Sequence, residues 1–143
     1  MNEDFMNVNY RLFLVGFLTW MWLSASVFAG SLAAPELDVP KDKAKNQVLT
    51  TVFKWKPVPG AKSYRVFVAS SADMLNSLAA GAACKDCFID EKTEAPTYQI
   101  PAKRLKKDIP YFWTVRAVSD AEEGPNAPVR SYTMASTFFM DMD

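Results

Sequence analysis

Cys84-Lys85-Asp86-Cys87 is the stretch whose residue types and spacing suit covalent chemistry. Two cysteines in an exported chain usually pair, and the bland reading is a disulfide clipping a local loop. The same spacing occurs in thiol-disulfide oxidoreductases. Those place the first cysteine at a helix N-terminus, whereas here an alanine-rich stretch precedes the pair and a strand pattern follows it. Free thiols, or links to another chain, are the remaining readings. Covalent haem attachment needs a histidine after the second cysteine, and Phe88 stands there. A zinc site needs two further ligands, and no other cysteine or any histidine exists to supply them.

The absence of histidine reaches further. Among 143 residues there is none, which excludes Ser-His and Cys-His pairs and imidazole metal ligands. Aspartates and glutamates show no spacing that suggests paired acid and base carboxylates. Sixteen basic residues balance sixteen acidic ones, so the strong basic excess of a dedicated nucleic-acid binder is missing. The expectation is a non-enzymatic chain with no cofactor, no metal and no nucleic-acid partner.

The chain opens with a polar segment in which Arg11 is the only basic residue, followed by the uncharged apolar run from Leu12 to Phe28. Val27-Phe28-Ala29 places small residues where signal peptidase cuts before Gly30. Residues 1–29 therefore read as a cleaved secretory signal, with an uncleaved membrane anchor and a buried core helix as alternatives. The run is roughly 17 residues, at the lower end of the spanning range. A secreted, periplasmic or cell-envelope location follows, with membrane attachment only if the segment is retained.

Residues 30–137 must then build the domain, leaving 138–143 as a C-terminal tail. Phe53 and Trp55 alternate with lysines, and Tyr64, Val66 and Val68 alternate with Arg65 and Phe67. Such period-two patterns mean half-buried strands, here joined by a turn at Pro57, Pro59 and Gly60. Further strands are predicted at Glu36–Val39, Val48–Trp55, Phe88–Asp90, Thr97–Ile100, Tyr111–Val118 and Val129–Ala135. Lys41–Asn46 reads as a charged turn. Asp73–Gly81 reads as one or two helical turns ending at the glycine. About seven short strands without a useful helical period predict an all-β, immunoglobulin-like β-sandwich.

On these residues the chain resembles a fibronectin type III domain from about Ala34 to Thr137. Trp55 stands where that family keeps its second-strand tryptophan, and Tyr64-Arg65-Val66 resembles its third-strand Tyr-x-Val. Pro57-Val58-Pro59-Gly60-Ala61 resembles the loop between them. Leu105 precedes Tyr111 at the spacing of the family's tyrosine corner. Tyr111-x-Trp113-x-Val115-x-Ala117 with Glu123-Gly124-Pro125 looks like the sixth strand and its turn. Lys107 and Ile109 depart from the usual proline and threonine between the leucine and tyrosine, and the Cys84/Cys87 pair is unusual there. The resemblance implies a binding or spacer role, a core containing Trp55, Tyr64, Leu105, Tyr111 and Trp113, and no catalytic residues. The integrin-binding Arg-Gly-Asp tripeptide is absent.

Two binding surfaces are expected. If Tyr64, Val66 and Val68 point inward, then Phe67, Phe112 and Val118 point outward on neighbouring strands and form an exposed apolar patch for a protein partner. The competing reading is cover by the alanine-rich loop or by Phe138-Phe139. Lys103, Arg104, Lys106 and Lys107 surround Leu105 and suit an anionic partner such as phospholipid or acidic polysaccharide. The favoured reading of that run is a solvated loop around a buried leucine. The resulting expectation is an exported module that acts by protein–protein contact. A carbohydrate- or cell-wall-associated accessory domain and a thiol-disulfide protein using Cys84 and Cys87 are the alternatives.

Overall fold

The computed structural model describes residues 31–48, 50–101 and 104–135. The expected signal, Lys103 and the C-terminal tail lie outside the described residues. The alternating segments form two antiparallel-rich sheets. One contains β1 (Leu37–Val39), β3 (Val52–Trp55) and β6 (Thr97–Gln99) in the order β1-β3-β6. The other contains β2 (Ala44–Gln47), β4 (Ser63–Ala69), β5 (Ile89–Thr93), β7 (Pro110–Val118) and β8 (Arg130–Met134), in the order β2-β8-β7-β4-β5. This is an immunoglobulin-like β-sandwich. No helix among the described residues is long and apolar enough to cross a membrane.

Between the sheets, alternation delivers Phe53, Trp55, Tyr64, Val66, Val68, Tyr111, Trp113, Val115 and Ala117 to one buried cluster. Phe53 stacks on Trp113 with ring centroids 4.4 Å apart, and Tyr132 meets Phe53 edge-on at 5.4 Å. Trp55 meets Tyr64 edge-on at 5.4 Å, and the Tyr64 hydroxyl accepts a bond from the Val58 amide at 3.0 Å. That bond fastens the turn whose Gly60 has φ +84°, a backbone region that glycine enters without strain. Leu105 is buried in the same cluster.

The Tyr111 hydroxyl accepts from the Lys106 amide at 2.7 Å and donates to the Lys106 carbonyl at 3.1 Å. Both bonds hold the loop that crosses from β6 to β7. Tyr111→Phe keeps the ring packing but leaves both backbone groups without this partner. A loss of about 1 to 2 kcal/mol in urea-unfolding free energy is expected. An unchanged midpoint would show that water replaces the hydroxyl at no cost.

Three local expectations are corrected. The strand expected at Val48–Trp55 begins only at Val52, after a turn in which the Thr51 amide bonds Val48 O at 3.0 Å. Lys41–Asn46 is not merely a charged turn, because Ala44–Gln47 pairs in parallel with β8. Lys43 and Asn46 adopt φ of 59° and 57°, which destroys period two, so the strand is held by its backbone rather than by a side-chain pattern. Lys43 N donates to Ser131 O at 2.8 Å, and Ala135 N to Gln47 O at 2.7 Å. The helix α1 (Ala72–Asn76) is a single turn. The chain leaves it at Ser77 and runs on as a loop through Gly81.

The two ends of the sandwich differ. At one end, Leu32 of the lead-in is buried, with its amide bonded to the Glu122 carboxylate at 2.9 Å. A Cβ on Gly124 would lie 2.9 Å from the Leu32 Cβ, so glycine is what permits this approach. The other end carries the 48–51 and 100–109 connections and the start of β5.

Candidate functional site

The outer face of the five-stranded sheet is where charge and apolar surface meet. Arg65 on β4 stands directly opposite Arg116 on β7, a like-charge pair that repels unless neutralised. Asp90 on β5 receives Arg65 through two bonds, Nε–Oδ1 at 2.6 Å and Nη2–Oδ2 at 2.9 Å. Glu123, beyond β7, bridges both arginines, with 3.2 Å from Arg65 Nη1 to Oε1 and 3.2 Å from Arg116 Nη1 to Oε2. Arg116 Nε also donates to Asn126 Oδ1 at 2.5 Å. The hydrogen bond from Arg65 to Asp90 raises the Arg65 pKa above the ordinary guanidinium value; burial opposes it, and the charges of Asp90 and Glu123 reinforce it.

This ladder grips the 71–88 connection at four points of its backbone. Asn126 Nδ2 donates to Leu75 O at 2.9 Å, and Arg116 Nη2 to Leu78 O at 2.8 Å. Gly81 N donates to Glu123 Oε2 at 3.1 Å, and Cys84 N to Asp90 Oδ2 at 2.8 Å. Under the connection, Leu75 and Cys84 pack with Phe67 and Ala69 in a second buried cluster. Phe67 lies beside two cations, 4.9 Å from the Arg116 Cζ and 5.3 Å from the Arg65 Cζ. The connection is thus a fixed lid, stapled by polar bonds and sealed by apolar ones.

The lid overturns the exposed-patch expectation. Phe67 does point away from the main core, but it is 0% exposed. Phe112 is half-buried against the same second cluster. Val118 is 7% exposed, where the following turn bridges back to it at Glu123. For Phe67 the cover is the alanine-rich loop.

Cys84 and Cys87 are joined by a disulfide across a Cα–Cα distance of 5.4 Å. It closes the last turn of the lid just before β5. Replacing both cysteines with serine is expected to lower stability by about 2 kcal/mol, as for any very short loop. Equilibrium urea unfolding checks this, and a loss beyond about 4 kcal/mol would mean that sulfur packing on Phe67 outweighs loop closure. On the outside of the lid, Met74, Leu78, Ala79, Ala83, Lys85 and Asp86 help line an open depression of about 400 Å³.

Of the four basic residues around Leu105, three are described. Arg104 and Lys106 are exposed on either side of buried Leu105, and Lys107 is half-buried. Arg104 reaches Glu91 only at 3.9 Å. Sequence reasoning missed Arg116, Asp90, Glu123 and Asn126. The available signal was Arg116 itself, a charge sharing the parity of Phe112 and Val118 in the middle of the longest strand.

No protein-family profile and no curated sequence matches the chain. Solved structures do. An Fn3-like protein from Clostridium thermocellum superposes with TM-score 0.51 and 18% identity, over 75% of this chain and 97% of its own. The fn3 domain of the human collagen alpha-1(XX) chain gives 0.50 and 17%, over 79% and 94%. A β-1,2-glucanase from Parabacteroides distasonis gives 0.50 and 19%, over 75% of this chain but 13% of the glucanase. At such identities the likeness is one of fold.

Proposed function

From a fibronectin type III-like β-sandwich, we propose a non-enzymatic, exported binding module that contacts a protein partner through its lid. The observation that carries this reading is the four-point attachment of the 71–88 connection. A loop ordered before binding loses little entropy on contact, which favours a recognition surface over a mere linker. Ala79, Ala83, Lys85 and Asp86 are exposed on its outside. The disulfide and the apolar run after Arg11 support export to the periplasm, cell envelope or medium.

Ala79→Lys combined with Ala83→Arg tests the site, since both side chains project from exposed positions. Cross-linking capture from the native compartment is expected to disappear while the thermal midpoint stays unchanged. Capture that survives at wild-type yield rejects the lid as the contact surface.

A second reading is a carbohydrate-associated accessory domain, favoured by the similar fold that occupies 13% of the glucanase. Trp55 and Trp113, natural sugar platforms, are buried, which weighs against direct sugar binding. A glycan array decides it: specific signal favours the second reading, and silence leaves the protein-contact reading.

A further inference from the structure

The large apolar side chains that remain exposed among the described residues gather at one end of the sandwich. They are Val48 at 63%, Phe88 at 40%, Val52 at 37% and Ile109 at 37% exposure. Strand register establishes the gathering. β2 ends at Gln47, paired with Met134, and β8 ends there too, while Thr133 pairs with Pro110 at the start of β7. Val48 and Ile109 therefore lie about two strand spacings apart, roughly 10 Å. Phe88 ends the 71–88 connection, its amide bonded to Val68 O and its ring edge-on to Tyr111 at 5.3 Å. Val52 begins β3 at the same end, paired with Gln99 at the end of β6. The opposite end is the one closed by Leu32.

Cations stand among these tips. Arg104 and Lys106 are exposed on the 100–109 connection that ends at Ile109, and Lys85 is exposed just before Phe88. Their acidic neighbours are Asp108 beside Ile109, Asp86 near Phe88 and Glu91, 3.9 Å from Arg104, while exposed Lys45 on β2 and half-buried Lys107 add to the cations.

We propose that this open end docks on an anionic lipid bilayer, with Val48, Phe88 and Ile109 entering the interface and Arg104, Lys106 and Lys85 facing the headgroups. Separate apolar tips on three connections, with cations among them, match a deformable surface that receives all of them at once. Apolar insertion and attraction to anionic headgroups are the two forces that hold such interfacial contacts. The proposal stands apart from the lid reading, because Val48, Ile109, Arg104 and Lys106 lie outside the 71–88 connection and only Lys85 and Phe88 are shared with it.

The test is sedimentation of the full exported chain with vesicles of phosphatidylcholine alone and of phosphatidylcholine mixed with phosphatidylglycerol. Binding is expected to be at least about tenfold tighter to the mixed vesicles and to weaken as salt is raised. Arg104→Glu with Lys106→Glu is expected to abolish the preference. Val48→Ser with Ile109→Ser is expected to weaken binding roughly tenfold while the thermal midpoint is unchanged. Equal binding to neutral and anionic vesicles would overturn the proposal, since a retained N-terminal apolar run alone would produce it. So would wild-type binding by the charge-reversed variant. Full competition by soluble polyglutamate with no effect of the serine substitutions would also overturn it, pointing to an acidic polymer or protein instead.

Discussion

Phe67→Ala is expected to remove about 3 to 5 kcal/mol of folding stability, the range for deleting a fully buried aromatic ring. The ring belongs to the outer face of a sheet, where alternation alone would place it in water. Instead it is 0% exposed, with Leu75 and Cys84 in its cluster and two guanidiniums at 4.9 and 5.3 Å. Alanine leaves a cavity beneath the lid and removes the face over which both cations sit, a contribution of roughly 0.5 to 2 kcal/mol within the total. Urea unfolding followed by tryptophan fluorescence measures the loss. Phe88→Ala is the control, because Phe88 keeps 40% of its surface exposed and should cost less than about 1.5 kcal/mol. Equal, small losses for the two would mean that the lid opens freely in solution.

That contrast marks how far the sequence could be read. Strand parity placed Trp55, Tyr64, Tyr111 and Trp113 in the inner core, and the structure buries all four. It also assigned Phe67 correctly to the opposite face. What parity cannot report is whether a face is covered. Cover comes from the 71–88 connection, which has no periodicity beyond a single helical turn and is held mainly by bonds to its own backbone. Backbone acceptors such as Leu75 O and Leu78 O leave no trace in residue type. The β2 strand escaped for a related reason, since its pairing uses main-chain groups while Lys43 and Asn46 interrupt alternation at positive φ. Glu123 was legible only as part of a turn, because its two arginine partners are brought to it by the register of β4 against β7.

Arg116→Ala is expected to cost about 3 kcal/mol or more, as for a buried ion pair that loses one member. Its side chain is 1% exposed, and that of Glu123 is 18% exposed. Removing the guanidinium strands Asn126 Oδ1 and Leu78 O and takes one of two cations from Glu123, whose Oε2 is left with the Gly81 amide alone. The sign is set by what remains: two acceptors out of water without their donor, and a carboxylate with half of its cationic partners gone. Arg65 keeps its bond from Nη1 to Glu123 Oε1, but its Nε and Nη2 are held by Asp90, so it supplies no donor to Asn126 Oδ1 or Leu78 O. The same argument predicts non-additivity. Arg116→Met with Glu123→Gln removes both charges and refills much of the volume, and it should be less destabilised than Arg116→Ala alone. Lid attachment is the second readout. Leu78 O loses its donor in both Arg116 variants, whereas the Gly81 amide depends on the group at position 123. Glu123→Gln preserves an acceptor for that amide by turning its carbonyl oxygen toward it, and Glu123→Ala offers none. Hydrogen exchange at Gly81 is therefore expected to quicken most in Glu123→Ala and least in Glu123→Gln. Full additivity of the two positions, with unchanged exchange at Gly81, would mean that the ladder balances charge without holding the lid.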